Sequence, residues 1–154
     1  MSVEFTDNSI KVKGELSSAV TAYLHEAAGE LAARVKRNSR VDTGHTKGSW
    51  SYAVNEDLGE AVIGSPTENA IWEEFGTGEY ALSGNGRKGG WYIPEEKLTK
   101  KAKDRMKKVI GKNGKVYYFT MGKRPTRALY NAFIFLKSAL IQRAEDVLKA
   151  RFSE

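Results

Sequence analysis

Asp42-Thr43-Gly44, within the stretch RVDTGHTKGSW, has the residue types and order of an aspartic protease centre, in which Asp42 would share a proton with a second carboxylate and activate water. That chemistry needs an apolar strand leading in and an apolar-apolar-Gly segment far downstream to pack behind the loop. Here a basic helix end leads in, His45 follows, and the comparable segment Val62-Ile63-Gly64 arrives too soon, inside a hairpin pattern. Asp, Thr and Gly are also the residues that turns prefer, so a capping turn is the favoured reading, and Asp42 is expected to accept backbone hydrogen bonds within it. A protease dimer built on Asp42 is the remaining enzymatic alternative.

Other groups capable of chemistry are sparse. His25 and His45 lie twenty positions apart and the chain has no cysteine, so zinc-ligand spacing and thiolate chemistry are both lacking and no cofactor is expected. Glu73 and Glu74 are adjacent; in a helical turn they point about 100° apart, which does not suit paired acid-base work. Glu73 is expected to be solvated and Glu74 to pair with a base. The glycines of SGNGRKGG, Ser83 to Gly90, are not a phosphate loop, since no GxxxxGK[ST] pattern is present.

Charge is the stronger signal. Lys97 to Arg127 holds twelve basic residues against the single acid Asp104, out of 25 and 19 in the whole chain, which leaves the rest net acidic by five. Such asymmetry suits a polyanion or an acidic neighbour. The candidate contacts are Arg87, Lys88, Lys97, Lys100, Lys101, Lys103, Arg105, Lys107, Lys108, Lys112 and Lys115, flanked by Trp91, Tyr92, Tyr117, Tyr118 and Phe119. A solvated or protein-binding face is favoured over direct contact with double-stranded DNA, because strand aromatics usually belong to a core.

The elements that must position these groups follow from hydrophobic period. Leu16, Val20, Tyr23, Leu24, Ala27, Leu31 and Val35 form one stripe of a helix over Leu16 to Arg37, ending near Asn38. Trp50, Tyr52 and Val54 alternate as a strand, with Glu60 to Gly64 as its hairpin partner. Asn69 to Phe75 reads as a short helix packing Ile71, Trp72 and Phe75 to one side. Trp91-Tyr92-Ile93 and Val116 to Thr120 read as further strands, and Leu98, Ala102, Met106 and Val109 lie at helical spacing between them. A long helix runs from Pro125, with apolar positions from Ala128 to Phe152. The expected fold is α+β: one domain over residues 1–154, with about four antiparallel strands, the first and last helices on one face, and a mobile basic loop at about 81–115. No run of about 18 apolar residues is present, and the start MSVEFTDNSI lacks the basic and apolar blocks of a signal peptide, so a soluble, cytoplasmically made chain is expected.

Three separated stretches, VDTGHTKGS, AIWEEFGTG and MGKRPTRALYNAF, in this order before a C-terminal helix, resemble the small tail-component family of long-tailed bacteriophages, the tail-completion or head-tail joining proteins of the neck. Val41, Asp42, Thr43, Gly44, Lys47 and Ser49 match its first motif; Glu74, Phe75, Gly76 and Thr77 match the second; Gly122, Pro125 and Ala132 fit the third. Thr46 stands where Leu is usual, and Thr126 where Phe is common. The resemblance implies a structural virion protein without catalysis, a homo-oligomeric ring, often sixfold, between head-connector and tail-tube or tail-terminator proteins, made in the host cytoplasm. In such a ring the basic loop would meet packaged DNA or a neighbouring ring.

Overall fold

The computed structural model describes Ser9 to Phe152; the stretch on which the signal-peptide expectation chiefly bears, residues 1–8, lies outside the described residues. Helix α1, Ser9–Asn38, is longer than its apolar stripe predicts. Its alanines, Ala19 to Ala33, favour helix over its later turns, and it closes where Ser39 turns back, donating from both amide and hydroxyl to the Val35 carbonyl at 2.9 and 2.8 Å. A short helix α2, His45–Ser49, leads into the antiparallel hairpin of β1, Ser51–Asn55, and β2, Glu60–Gly64, in register Tyr52↔Ile63 and Ala53↔Val62. Helix α3, Glu68–Phe75, follows, then a 3₁₀ turn at Gly78–Tyr80.

Strand β3, Trp91–Pro94, a 3₁₀ turn at Glu95–Lys97, helix α4, Lys100–Lys103, and strands β4, Lys107–Ile110, and β5, Val116–Thr120, make a second antiparallel sheet in the order β3-β5-β4. Helix α5, Ala128–Phe152, ends the described chain.

The α+β class and the two long terminal helices are as expected, but the strands among the described residues number five in two sheets rather than about four in one. The helices do not share a face of one sheet: α1 packs along α5 and carries the hairpin, while α3 packs on α5. The basic segment differs too. Its helical spacing yields only the four residues of α4, and Lys107 to Ile110 is extended, because pairing Val109 with Tyr117 on β5 satisfies backbone groups that an isolated polar helix would leave to water.

Leu31, Val35, Trp50, Ala70, Ala128, Ala132 and Leu136 form the core, with Ile63, Leu129 and Leu140 packed against it. Small residues predominate where α1, α3 and α5 meet, so the backbones approach closely. Tyr23 donates to the Leu140 carbonyl at 2.7 Å and Arg143 bridges Glu26 and Glu30, fixing α1 against α5 beyond the core. Burial pushes the Tyr23 phenol up, opposed by the Arg143 charge.

Candidate assembly site

The second and third sequence motifs interlock. Gly76-Thr77-Gly78 and Met121-Gly122-Lys123 run alongside each other: Thr77 N–H donates to the Lys123 carbonyl at 2.9 Å, Lys123 N–H to Thr77 Oγ1 at 3.0 Å, and Glu79 N–H to the Met121 carbonyl at 2.9 Å. This clasp explains its glycines. Gly122 has φ of 114°, and a Cβ there would lie 2.1 Å from the Thr77 carbonyl oxygen. A Cβ on Gly76 would strike Pro125 Cδ at 2.9 Å.

From the clasp, α3 reaches the start of α5. Glu73 is 8% exposed; its carboxylate accepts from Thr126 Oγ1 at 2.7 Å and pairs with Lys123, and its carbonyl accepts from the Thr126 amide at 2.6 Å. Glu74 is equally buried and accepts from the amides of Leu129 and Tyr130, both at 2.9 Å. These donors belong to the first turn of α5, where an N-cap side chain normally serves. Arg127, which precedes α5, has no side-chain acceptor to offer and adopts φ of 53°, with its guanidinium 3.7 Å from the centre of the Tyr130 ring. A carboxylate from another helix therefore caps α5, and its charge suits the positive end of the helix dipole.

Three expectations are corrected by this geometry. Glu73 is buried rather than solvated, and Glu74 binds backbone amides rather than a basic side chain. Pro125 precedes α5 by three residues instead of opening it, since the extended lead-in is what carries Thr126 to Glu73.

The first motif joins the same region. Asn38 Nδ2 donates to the Ala128 carbonyl at 3.2 Å and Arg40 to the Arg124 carbonyl at 3.3 Å. Ser49 Oγ lies 2.7 Å from Ser65 Oγ and 3.4 Å from Thr67 Oγ1, tying the head of the hairpin to its exit. Thr43 Oγ1 accepts from His45 N–H at 3.4 Å, and Gly44 adopts φ of 86° ahead of α2. Asp42 does not hold its own turn: its Oδ2 accepts from Thr99 Oγ1 at 2.9 Å, while Lys101 Nζ donates to the Val41 carbonyl at 2.6 Å. Thr99 itself caps α4 through the Ala102 amide, so Asp42 is linked to the basic segment.

The remaining basic candidates divide by partner. Lys88 pairs with Glu79 at 3.4 Å and Lys103 with Glu95 at 3.6 Å. Arg87 lies 5.5 Å from the centre of the Trp91 ring. Lys97, Lys100, Arg105, Lys107, Lys108, Lys112 and Lys115 are exposed, and no carboxylate among the described residues lies within 4.0 Å of their charged atoms. The glycine-rich loop is tied at its end, where Gly89 N–H donates to Glu79 Oε1 at 2.8 Å. That hydrogen bond, helped by Lys88 and opposed by partial burial, holds the Glu79 carboxyl below its ordinary range.

What the sequence period misplaced is the apolar side of α3. Ile71, Trp72 and Phe75 share a face as predicted, yet that face is exposed, while Ala70, Glu73 and Glu74 turn inward. On α5, Ala128, Ala132 and Leu136 face the core, leaving Tyr130, Phe133, Ile134, Ile141 and Leu148 outside. The legible signal was the breadth of the α5 pattern, whose apolar positions are too many for one face.

Residues 4–76 match the HK97-gp10-like family, a phage tail-component family. Its family model is described as "Bacteriophage HK97-gp10, putative tail-component". The matched span contains the first motif, the hairpin and α3 with Glu73 and Glu74, and ends at Gly76. No curated protein and no solved structure matches the chain. No described helix is long and apolar enough to cross a membrane.

Proposed function

We propose that this protein is a phage tail component, a structural protein of the neck that assembles with itself as a ring, completing the tail or joining it to the head. It would be made in the host cytoplasm and carried in the virion, with head-connector and tail-tube or tail-terminator proteins as its neighbours and no catalytic centre of its own. The observation that carries the reading is unpartnered apolar surface. The chain exposes 11042 Å², whereas a compact monomer of 17.1 kDa exposes about 7,800 Å². The surplus, about 3,200 Å², is ample for two interfaces that each take about 800 Å² or more from a subunit. Much of the apolar part lies on Ile71, Trp72 and Phe75 of α3 and along the outer side of α5. Sixfold symmetry rests on the family resemblance.

Mass photometry over a range of concentrations tests the assembly: discrete closed oligomers are expected, and a monomer at every concentration would overturn it. A second reading, contact with packaged double-stranded DNA, is favoured by the unpaired lysines of the basic segment; it predicts duplex affinity that falls steeply with salt.

A further inference from the structure

Two exposed surfaces of opposite sign find no partner within the protomer. On the hairpin, Tyr52 lies against Gly29 of α1 and Ile63 packs on the core, so Ala53 and Val62, paired across the ladder, face away. Val62 and the tip residue Leu58 are 65% and 67% exposed. Around them stand Glu56, Asp57 and Glu60, all exposed, with no base in the hairpin and none among the described residues within 4.0 Å of their carboxylates. The three-stranded sheet mirrors this composition. Ile110, on strand β4, is 69% exposed; Lys108 shares its face, Lys107 points to the other face so that the two lysines straddle the strand, and Lys112 and Lys115 follow in the turn, all unpaired. Strand β4 is an edge of that sheet, with one side of its backbone unladdered.

Each cluster repels itself, and each places apolar side chains amid one sign of charge. We infer that the acidic hairpin of one copy docks on the basic edge of the three-stranded sheet of the next, with Leu58 and Val62 meeting the Ile110 region and Glu56, Asp57 and Glu60 meeting Lys107 and Lys108. This rests on the ring reading above and supplies its contact. The two patches belong to different sheets, so each copy gives one and receives the other. That is a heterologous, head-to-tail interface, the kind that generates rings. DNA would neutralise the lysines but leave the acidic hairpin and both apolar centres unused, whereas docking of a second copy uses all of them in one contact.

The test uses the full chain in three charge-reversed forms: Glu56→Lys with Asp57→Lys, Lys107→Glu with Lys108→Glu, and all four together. All four positions are exposed, and circular dichroism is expected to be unchanged. Sedimentation velocity should show each pair of reversals weakening self-association by about tenfold or more, the combined chain recovering most of the loss, and high salt weakening the wild type. Reversals that leave oligomers intact would overturn the docking while the ring stands. Impaired pairs without recovery in the combined chain would overturn direct contact between the patches. Loss of duplex-DNA binding by Lys107→Glu with Lys108→Glu, at unchanged self-association, would overturn it in favour of a nucleic-acid surface. A wild type that never associates would remove both the ring and its contact.

Discussion

Replacing Glu74 by alanine tests whether a distant carboxylate holds the start of α5. The side chain accepts from the Leu129 and Tyr130 amides, both at 2.9 Å, in a site that leaves it 8% exposed. A hydrogen bond to a charged group contributes about 1.5–3 kcal/mol, and the helix dipole adds about 0.3–1 kcal/mol to a negative charge at this end. Arg127 offers no replacement side-chain acceptor, so both amides would be left to whatever water can enter. Glu74→Ala is therefore expected to lower stability by about 3–4 kcal/mol, a fall in Tm of about 10 °C for a chain of this size. Glu74→Gln retains one acceptor oxygen but no charge and should lose about half as much, roughly 2 kcal/mol. Glu68→Ala, at an exposed position in the first turn of α3, is the control and should stay within about 0.5 kcal/mol. Urea titrations at one fixed protein concentration measure all three, so that any effect of association on apparent stability is shared. A Glu74→Ala loss below about 1 kcal/mol would refute the capping role and show that α5 begins stably on the packing of Ala128 and Ala132 alone.

Further outcomes follow from the same geometry. Gly122→Ala, which places a Cβ at 2.1 Å from the Thr77 carbonyl oxygen, should cost about 3 kcal/mol or more in thermal unfolding, whereas Gly84→Ala, with φ of 73° and open space around it, should cost about 1 kcal/mol. Asp42→Ala removes one exposed side-chain hydrogen bond to Thr99 and should change stability by about 0.5 kcal/mol, and Asp42→Asn should leave assembly unchanged; lost activity in an Asp42→Asn peptidase assay would revive the enzymatic reading. The Glu79 carboxyl is held below its ordinary range, so its tie to Gly89 is fully present above the unfolded carboxylate pKa and is lost as pH falls through the lower folded value. Amide exchange at Gly89, followed by NMR on acidification, should accelerate in that window and stay flat above it. Trp72→Ser should weaken self-association while leaving thermal stability nearly unchanged, and the reverse result would place Trp72 in the protomer core.

The terminal helices, the hairpin and the strands around Trp91 and Tyr118 were legible because each has a period that backbone geometry requires. Strand β4 was not. Lys107, Lys108, Val109 and Ile110 carry neither the spacing nor the composition of a half-buried strand, and only the free edge of β5 makes them extended. Asp42 was misjudged for a related reason: its turn residues were read locally, and Thr99, 57 positions away, supplies its partner. The clasp between Thr77 and Lys123 depends mainly on main-chain groups, which any sequence possesses. Its trace was confined to the Thr77 hydroxyl, which accepts from Lys123 N–H, and to the glycines that the close approach demands.

Helix α3 carries the sharpest lesson about function, because its period was read correctly and its orientation was not. Amphipathic spacing states which residues share a face; it assigns the apolar face to the protomer interior only if the protomer is the unit that buries it. In α3 the interior has a stronger claim on Glu73 and Glu74. The amides at the start of α5 and the Thr126 hydroxyl need acceptors, and these two carboxylates are the acceptors that meet them. Turning Glu73 and Glu74 inward necessarily turns Ile71, Trp72 and Phe75 outward, since the two sets occupy opposite sides of two helical turns. The apolar exposure is thus the geometric consequence of a polar requirement inside the fold, and its cost in water is what a neighbouring subunit would relieve.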